Sequence, residues 1–176
     1  MKTVSLFTYP WDLHDEGVER ALDFIAEKAG FNSICLALSY HIATYFSPHN
    51  PRRKIYYGDH GALYFQPQTE LYANTALNPQ VSPLVSGDDY MEKIRQGTSE
   101  RRIEFCAWIV YFYNHYLART FPECAKVDVF ANPYLSLLCP ANPDVRAYAL
   151  ALTHDIVSNY RPQAVNLESL SYRHFD

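Results

Sequence analysis

Four short runs of β-forming residues, each followed by a stretch with helical periodicity or by the chain's end, constrain the fold more than any other feature. They lie at residues 3–9, 33–40, 103–110 and 164–167. The second, Ser-Ile-Cys-Leu-Ala-Leu-Ser-Tyr, is apolar almost throughout, the pattern of a strand covered on both faces of a parallel sheet. Between the first two runs, Val18, Leu22, Ile25 and Ala29 recur at helical spacing and Gly30 provides a stop. A second helix is predicted over residues 88–100, with Tyr90, Met91 and Ile94 as its apolar positions. The third has a capping Asn142, Pro143 in its first turn and Asp144 at the positive end of the helix dipole. Its apolar face is Val145, Tyr148, Leu152 and Ile156. The order β-α-β-α-β-α-β implies parallel strands with right-handed crossovers.

Loop lengths are uneven. Connections leaving helices are short, whereas residues 41–87 and 111–140 hold no convincing long helix. The first of these is rich in Pro, Tyr, Asn and His, with strand-like pieces at 54–57 and 62–65. A connection of more than ~40 residues inside a compact domain is usually functional. Extra chain thus gathers at the C-terminal ends of the strands, where barrels and open α/β sheets place their sites. The first turn, Tyr9-Pro10-Trp11-Asp12, has neither a GxGxxG pattern nor a P-loop, which disfavours a dinucleotide fold. Fifteen Tyr and ten Phe against six Gly favour an aromatic-lined sugar site, because tyrosine combines an apolar face with a polar tip. Four βα units make half of an eightfold barrel, and the sequence stops just past the fourth strand. The expected fold class is therefore α/β, a (β/α)8 TIM-barrel type with about the first four units present, as one domain over residues 1–176.

A net charge of −4 gives no electrostatic case for nucleic acid or an anionic membrane. The N-terminus runs directly into Thr3-Val4-Ser5-Leu6-Phe7 with no signal-peptide pattern, and no apolar run approaches a membrane span. A cytoplasmic location is expected. Cys35, Cys106, Cys124 and Cys139 form no CxxC pair and read as small hydrophobes in a reducing compartment.

Glu168 follows the fourth strand and is the leading acid/base candidate, because a strand end both aims and partly desolvates a carboxyl group. Asp12, after the first strand, is the second catalytic candidate, with helix capping as its alternative role. Trp11, Tyr40 and Tyr111 sit near strand ends and could stack on sugar rings; Trp108, inside an apolar run, reads as core. Asn114 and His115 could bind hydroxyl groups, and His41 joins them as a substrate-binding candidate. His41, His49, Asp59 and His60 form a loose group with no standard zinc spacing, so neither a metal nor a cofactor is expected. No nucleophile elbow or Cys/His signature points to acyl transfer.

Four segments carry a family resemblance: Asp59-His60-Gly61-Ala62-Leu63-Tyr64-Phe65-Gln66-Pro67, Ala107-Trp108-Ile109-Val110 leading to Asn114, Leu138-Cys139-Pro140-Ala141-Asn142-Pro143-Asp144-Val145-Arg146-Ala147-Tyr148, and Val165-Asn166-Leu167-Glu168. Together they span most of the chain, and the one starting at Leu138 is the most specific. Through them the chain resembles the N-terminal half of hypothetical glycoside-hydrolase-like TIM barrels from bacteria. The resemblance implies a barrel fold and a carbohydrate-type site. Glycoside hydrolysis generally uses two carboxyl groups flanking the scissile bond, and the chain as given lacks the later strands. The leading reading is a glycoside hydrolase, incomplete as given, with Glu168 as acid/base. The alternatives are a non-catalytic carbohydrate-binding or inert partial barrel, or a sugar isomerase or metal-dependent hydrolase if the His/Asp group converges. The expected partners are a carbohydrate and, through open barrel edges, a second copy of the chain.

Overall fold

The computed structural model describes residues 2–85 and 90–172. Strand β1 (Ser5–Thr8) ends at Tyr9, and Pro10 opens a helix where the sequence reading placed a loop. Proline is tolerated in this first turn of α1 (Pro10–Glu16), because an N–H there would lack an intrahelical partner anyway. Gly17, at φ +87°, breaks the path, and α2 (Val18–Asp23) continues into a wide π turn over Phe24–Lys28. Gly30, at φ +73°, lies just beyond the helical path, as its position in the sequence suggested. Strand β2 (Ser33–Tyr40) spans the predicted run.

The long connection that follows has its own short elements. An antiparallel hairpin joins β3 (Thr44–Phe46) to β4 (Ile55–Tyr57), followed by β5 (Ala62–Leu63) and β6 (Gln80–Val81). It is pinned to a helix by side chains. Gln68 N and the Tyr72 hydroxyl donate to buried Asp155, at 3.0 and 3.1 Å, and Ala76 N donates to Asp144 Oδ1 at 2.9 Å. Helix α3 (Tyr90–Glu100) follows; its expected start at Asp88 lies outside the described residues. Strand β7 (Glu104–Val110) leads into a second structured connection. That segment contains α4 (His115–Thr120) and the antiparallel pair β8 (Ala125–Val127) and β9 (Pro133–Leu138), none of them predicted. Helix α5 (Pro143–Tyr160) opens as expected: Asn142 Oδ1 accepts from Asp144 N and Val145 N, at 2.8 and 3.3 Å. Strand β10 (Ala164–Glu168) closes the sequence of elements.

The main sheet is mixed but mostly parallel. Its four parallel strands lie side by side in chain order: β1 on β2, β2 on β7, and β7 on β10. Beyond β1, Ser39 and Tyr40 of β2 pair antiparallel with Leu63 and Ala62 of β5, which carries β6. One face of the sheet supplies Ile34, Leu36, Phe105, Ala107 and Ile109 to a core shared with Leu22, Ile94, Val145 and Leu152 of the helices. The other face carries Ser5, Phe7, Cys35, Cys106, Trp108, Asn166 and Glu168, and it is more open; Phe7 is 57% exposed. On that face Ser33 Oγ donates to Ser5 Oγ at 3.0 Å, and Cys35 and Cys106 approach to 3.5 Å as free thiols. Burial, reinforced by Cys106, pushes the Cys35 thiol up to about 12, so it is a packing group rather than a nucleophile.

Candidate functional site

Glu168 is the last residue of β10, in register with Val110. Its carbonyl accepts from Tyr111 N at 3.0 Å, and the next carbonyl, of Ser169, accepts from Phe112 N at 3.3 Å. Ser169 takes a left-handed conformation at φ +57°, which costs about 1 kcal/mol for a residue with a side chain. The chain therefore turns sharply just after Glu168. Two residues earlier on the same face, Asn166 pairs with Trp108 of β7. The Trp108 indole thus reaches Glu168, and its Nε1 donates to Oε2 at 2.7 Å. A donor on a carboxylate makes a short, charge-assisted bond.

Tyr40 joins this pair through a register change. Ala37 of β2 sits opposite Trp108, but Ser39, two residues on, sits opposite Ile109. The extra residue is a β-bulge, and it exchanges the faces of everything after it. Strict alternation would put Tyr40 with Ile34 and Leu36 against the helices. The bulge sends Ser39 there, where its Oγ donates to Val110 O at 2.9 Å, and delivers Tyr40 to Trp108 at 4.9 Å between ring centroids. The Tyr40 hydroxyl accepts from Tyr45 at 2.8 Å and lies 3.4 Å from that of Tyr9. Burial pushes the Tyr40 hydroxyl well above the ordinary phenol range, and the charge of Glu168 adds to that, so it serves as a neutral donor and acceptor.

From Tyr40 a row of rings runs outward. Tyr40 stacks on His41 at 4.4 Å, His41 meets Tyr113 at 4.6 Å, Tyr113 meets His115 at 5.1 Å, and His115 faces His60 at 6.4 Å. Exposure rises along it: Trp108 and Tyr40 are buried, His41, Tyr113 and His115 half-buried, and His60 exposed. His115 begins α4, which is anchored by its neighbour. Asn114 Oδ1 accepts from Leu117 N at 2.9 Å, and Asn114 Nδ2 donates to Gly61 O at 3.0 Å.

The sequence candidates therefore divide. Glu168, Tyr40, His41 and His115 belong to one line of contacts. Asn114 is buried and holds α4 in place. Tyr111 points away from the row and shares a 2.7 Å bond with Thr153 of α5. Trp11 is fully buried between Tyr9 and Tyr56, at 4.5 and 4.2 Å. Asp12 sits in a separate cluster on α1, with Asn50 Nδ2 at 3.3 Å and His49 at 3.7 Å; Glu16 also meets His49, at 3.3 Å. Burial raises the pKa of both Asp12 and Glu16. They border a groove of about 750 Å³ whose walls include Phe7, Phe24 and Phe46. Among the described residues, no group of three or more His, Cys, Asp or Glu is arranged to hold a metal ion, and no helix is long and apolar enough to cross a membrane.

Sequence reasoning did not find Tyr9, Tyr45 or Tyr113, and it read Trp108 as core. Trp108 is indeed buried, yet its one polar atom is bonded to the candidate acid. The available signal was the two-residue period that places 108, 166 and 168 on one face once β7 and β10 are paired. For Tyr45, on a three-residue strand, the sequence holds no such signal.

In sequence the chain matches no protein-family model and no curated protein. Its fold does match solved structures. A hypothetical protein from Ruminiclostridium thermocellum ATCC 27405 aligns over 96% of this chain and 78% of its own, with TM-score 0.66 and 14% identity. The α-L-fucosidase isoenzyme 2 from Paenibacillus thiaminolyticus aligns over 98% of this chain at TM-score 0.67 and 14% identity. A noncanonic maltogenic α-amylase, AmyB from Thermotoga neapolitana, aligns over 98% at TM-score 0.60 and 13% identity. The chain spans only 24% of the fucosidase chain and 40% of the amylase chain. At these identities the likeness is one of fold, an α/β arrangement shared with domains of glycoside-hydrolase-related proteins.

Proposed function

We propose that this chain forms the first four βα units of a (β/α)8 barrel of the glycoside-hydrolase type. In this reading it binds a sugar ring beside Trp108 and Tyr40, with Glu168 as the acid/base. One observation carries the proposal: the 2.7 Å bond from Trp108 Nε1 to Glu168 Oε2 at the C-terminal ends of parallel strands. It holds a carboxylate beside aromatic rings, and among the described residues no hydrogen bond engages Oε1, which would exchange a proton with a glycosidic oxygen. The names of two fold neighbours, a fucosidase and a maltogenic amylase, support a carbohydrate ligand. Chain-order pairing of the four parallel strands supports the barrel.

The test is Glu168→Gln in the intact protein, assayed on a panel of aryl glycosides with sugar binding followed by calorimetry. Binding should persist while turnover falls ~10²–10⁴-fold, the usual contribution of general acid catalysis. Unchanged turnover would remove Glu168 from the mechanism. A second reading, sugar binding without hydrolysis, is favoured by the position of Asp12, which lies in its own cluster rather than beside Glu168. Binding by the wild-type protein with no turnover on any glycoside would select it.

A further inference from the structure

The outer end of the ring row is basic. His41, His115 and His60 occur along it in that order, with Tyr113 between the first two, and Arg119 lies one helical turn beyond His115 on α4. Among the described residues none of these four side chains is ion-paired with a carboxylate, although the protein carries a net charge of −4. The nearest acid in sequence, Asp59, raises the hydroxyl pKa values of Tyr56 and Tyr64 through its charge, and its Oδ2 is buried with no hydrogen-bond partner among the described residues. Among the described residues His115 Nδ1 is buried with no hydrogen-bond partner, and an unpartnered buried polar atom is costly. Burial lowers the His115 pKa, and Arg119, His60 and His41 push it the same way, as expected of basic groups gathered without a counter-charge.

We infer that His41, His60, His115 and Arg119 form a subsite for an oxyanion, and that its natural source is the carboxylate of an acidic sugar bound along the ring row. The source, though not the basic subsite itself, rests on the carbohydrate reading above. The chemistry of the donors defines how it works. His41 Nδ1 lies 2.7 Å from Ile42 O, a bond that places the proton on Nδ1. Its Nε2 therefore donates to an anion only as imidazolium. Arg119 supplies a guanidinium charge, and His60 is exposed. Anion binding should accordingly strengthen as pH falls through the histidine range and weaken with added salt.

The experiment compares matched methyl glycosides and methyl glycosiduronates of the gluco, galacto and manno series, with sodium sulfate as a free anion. Calorimetry at pH ~5.5 and ~8 spans the imidazole titration. The uronate of at least one pair should bind on the order of tenfold more tightly than its neutral partner at the lower pH, with a smaller ratio at the higher pH or in high salt. His115→Gln should reduce that ratio. Because His115 is half-buried, the surface variants His60→Gln and Arg119→Gln provide the same test without threatening the fold. If neutral and acidic members of every pair bind equally, the subsite is overturned while the sugar reading stands. Sulfate binding that depends on His60 and Arg119, without binding of any glycoside, would support the basic subsite and overturn both the sugar reading and the proposed source. Failure of glycosides and sulfate alike would overturn both.

Discussion

Asp15 is a buried carboxylate with three partners. Arg53 reaches it through Nε at 2.6 Å and a terminal nitrogen at 2.8 Å, Asn50 donates at 3.0 Å, and His14 lies at 3.3 Å. Burial alone would raise its pKa, but the bonds from Arg53, Asn50 and His14 outweigh burial and hold it below the ordinary value. A carboxylate whose folded pKa is depressed contributes stability above its unfolded pKa and loses it as pH falls through the folded value. Asp15→Asn should therefore cost about 2 kcal/mol at neutral pH, and the difference from wild type should shrink steadily as pH drops below ~4. Urea melts of the two proteins across that range would show it; a gap independent of pH would mean that the ion pair contributes nothing. Asp12, Glu16 and Asp155 are shifted upward by burial and act in the opposite sense, so only the difference between variants isolates Asp15. At this scale the sequence revealed which residue types sit near strand ends but not what their polar atoms touch. The Glu168 position was legible because one acid follows one apolar run. Its bond to Trp108 depends on the register of two strands about sixty residues apart.

At the scale of elements, local signals worked where an element is long enough to show its own period. Helix α5, with its Asn142 cap, and strand β2 were both legible in the sequence. Asn142→Ala should cost about 1 kcal/mol, read from the midpoint of a urea melt. Helix α4 is six residues long and is fixed from elsewhere in the chain, through the bond from Asn114 to Gly61 O. Gly61 sits at φ +104°, and a Cβ there would fall 2.3 Å from Asn114 Oδ1. Gly61→Ala should therefore destabilise by about 2 kcal/mol or more and shift the ring signals of His115 in an NMR spectrum. Unchanged stability and an unmoved His115 would show that the contact is dispensable. The bulge in β2 was also hidden, because nothing in Ala-Leu-Ser-Tyr distinguishes a regular strand from one that turns its last residue over. Deleting Leu38 would restore regular pairing with Ser39 still opposite Ile109 and Tyr40 still on the Trp108 face. The Tyr40–Trp108 contact should therefore survive the deletion, and its loss in a still folded protein would show that the bulge itself positions Tyr40.

For the whole molecule, the parallel order was readable from the alternation of strand and helix, whereas the short sheets that fill both long connections were not. Among the described residues, β1 pairs only with β2 and β10 only with β7, so each offers one unpaired edge. Val4, Phe7 and Leu167 near those edges are 44%, 57% and 51% exposed. Unpaired edges with apolar side chains promote strand addition. The chain should self-associate with rising concentration, and Leu167→Lys should weaken that association. Light scattering on a size-exclusion column over a dilution series decides it, and one constant monomeric mass would contradict the prediction. The two tryptophans occupy contrasting surroundings: Trp11 is sealed among tyrosines, while Trp108 is bonded to Glu168 beside the row of rings. If a ligand binds beside Trp108 as proposed, the molecule would contain an unlabelled optical gauge, in which one emitter registers occupancy and the other supplies an internal reference.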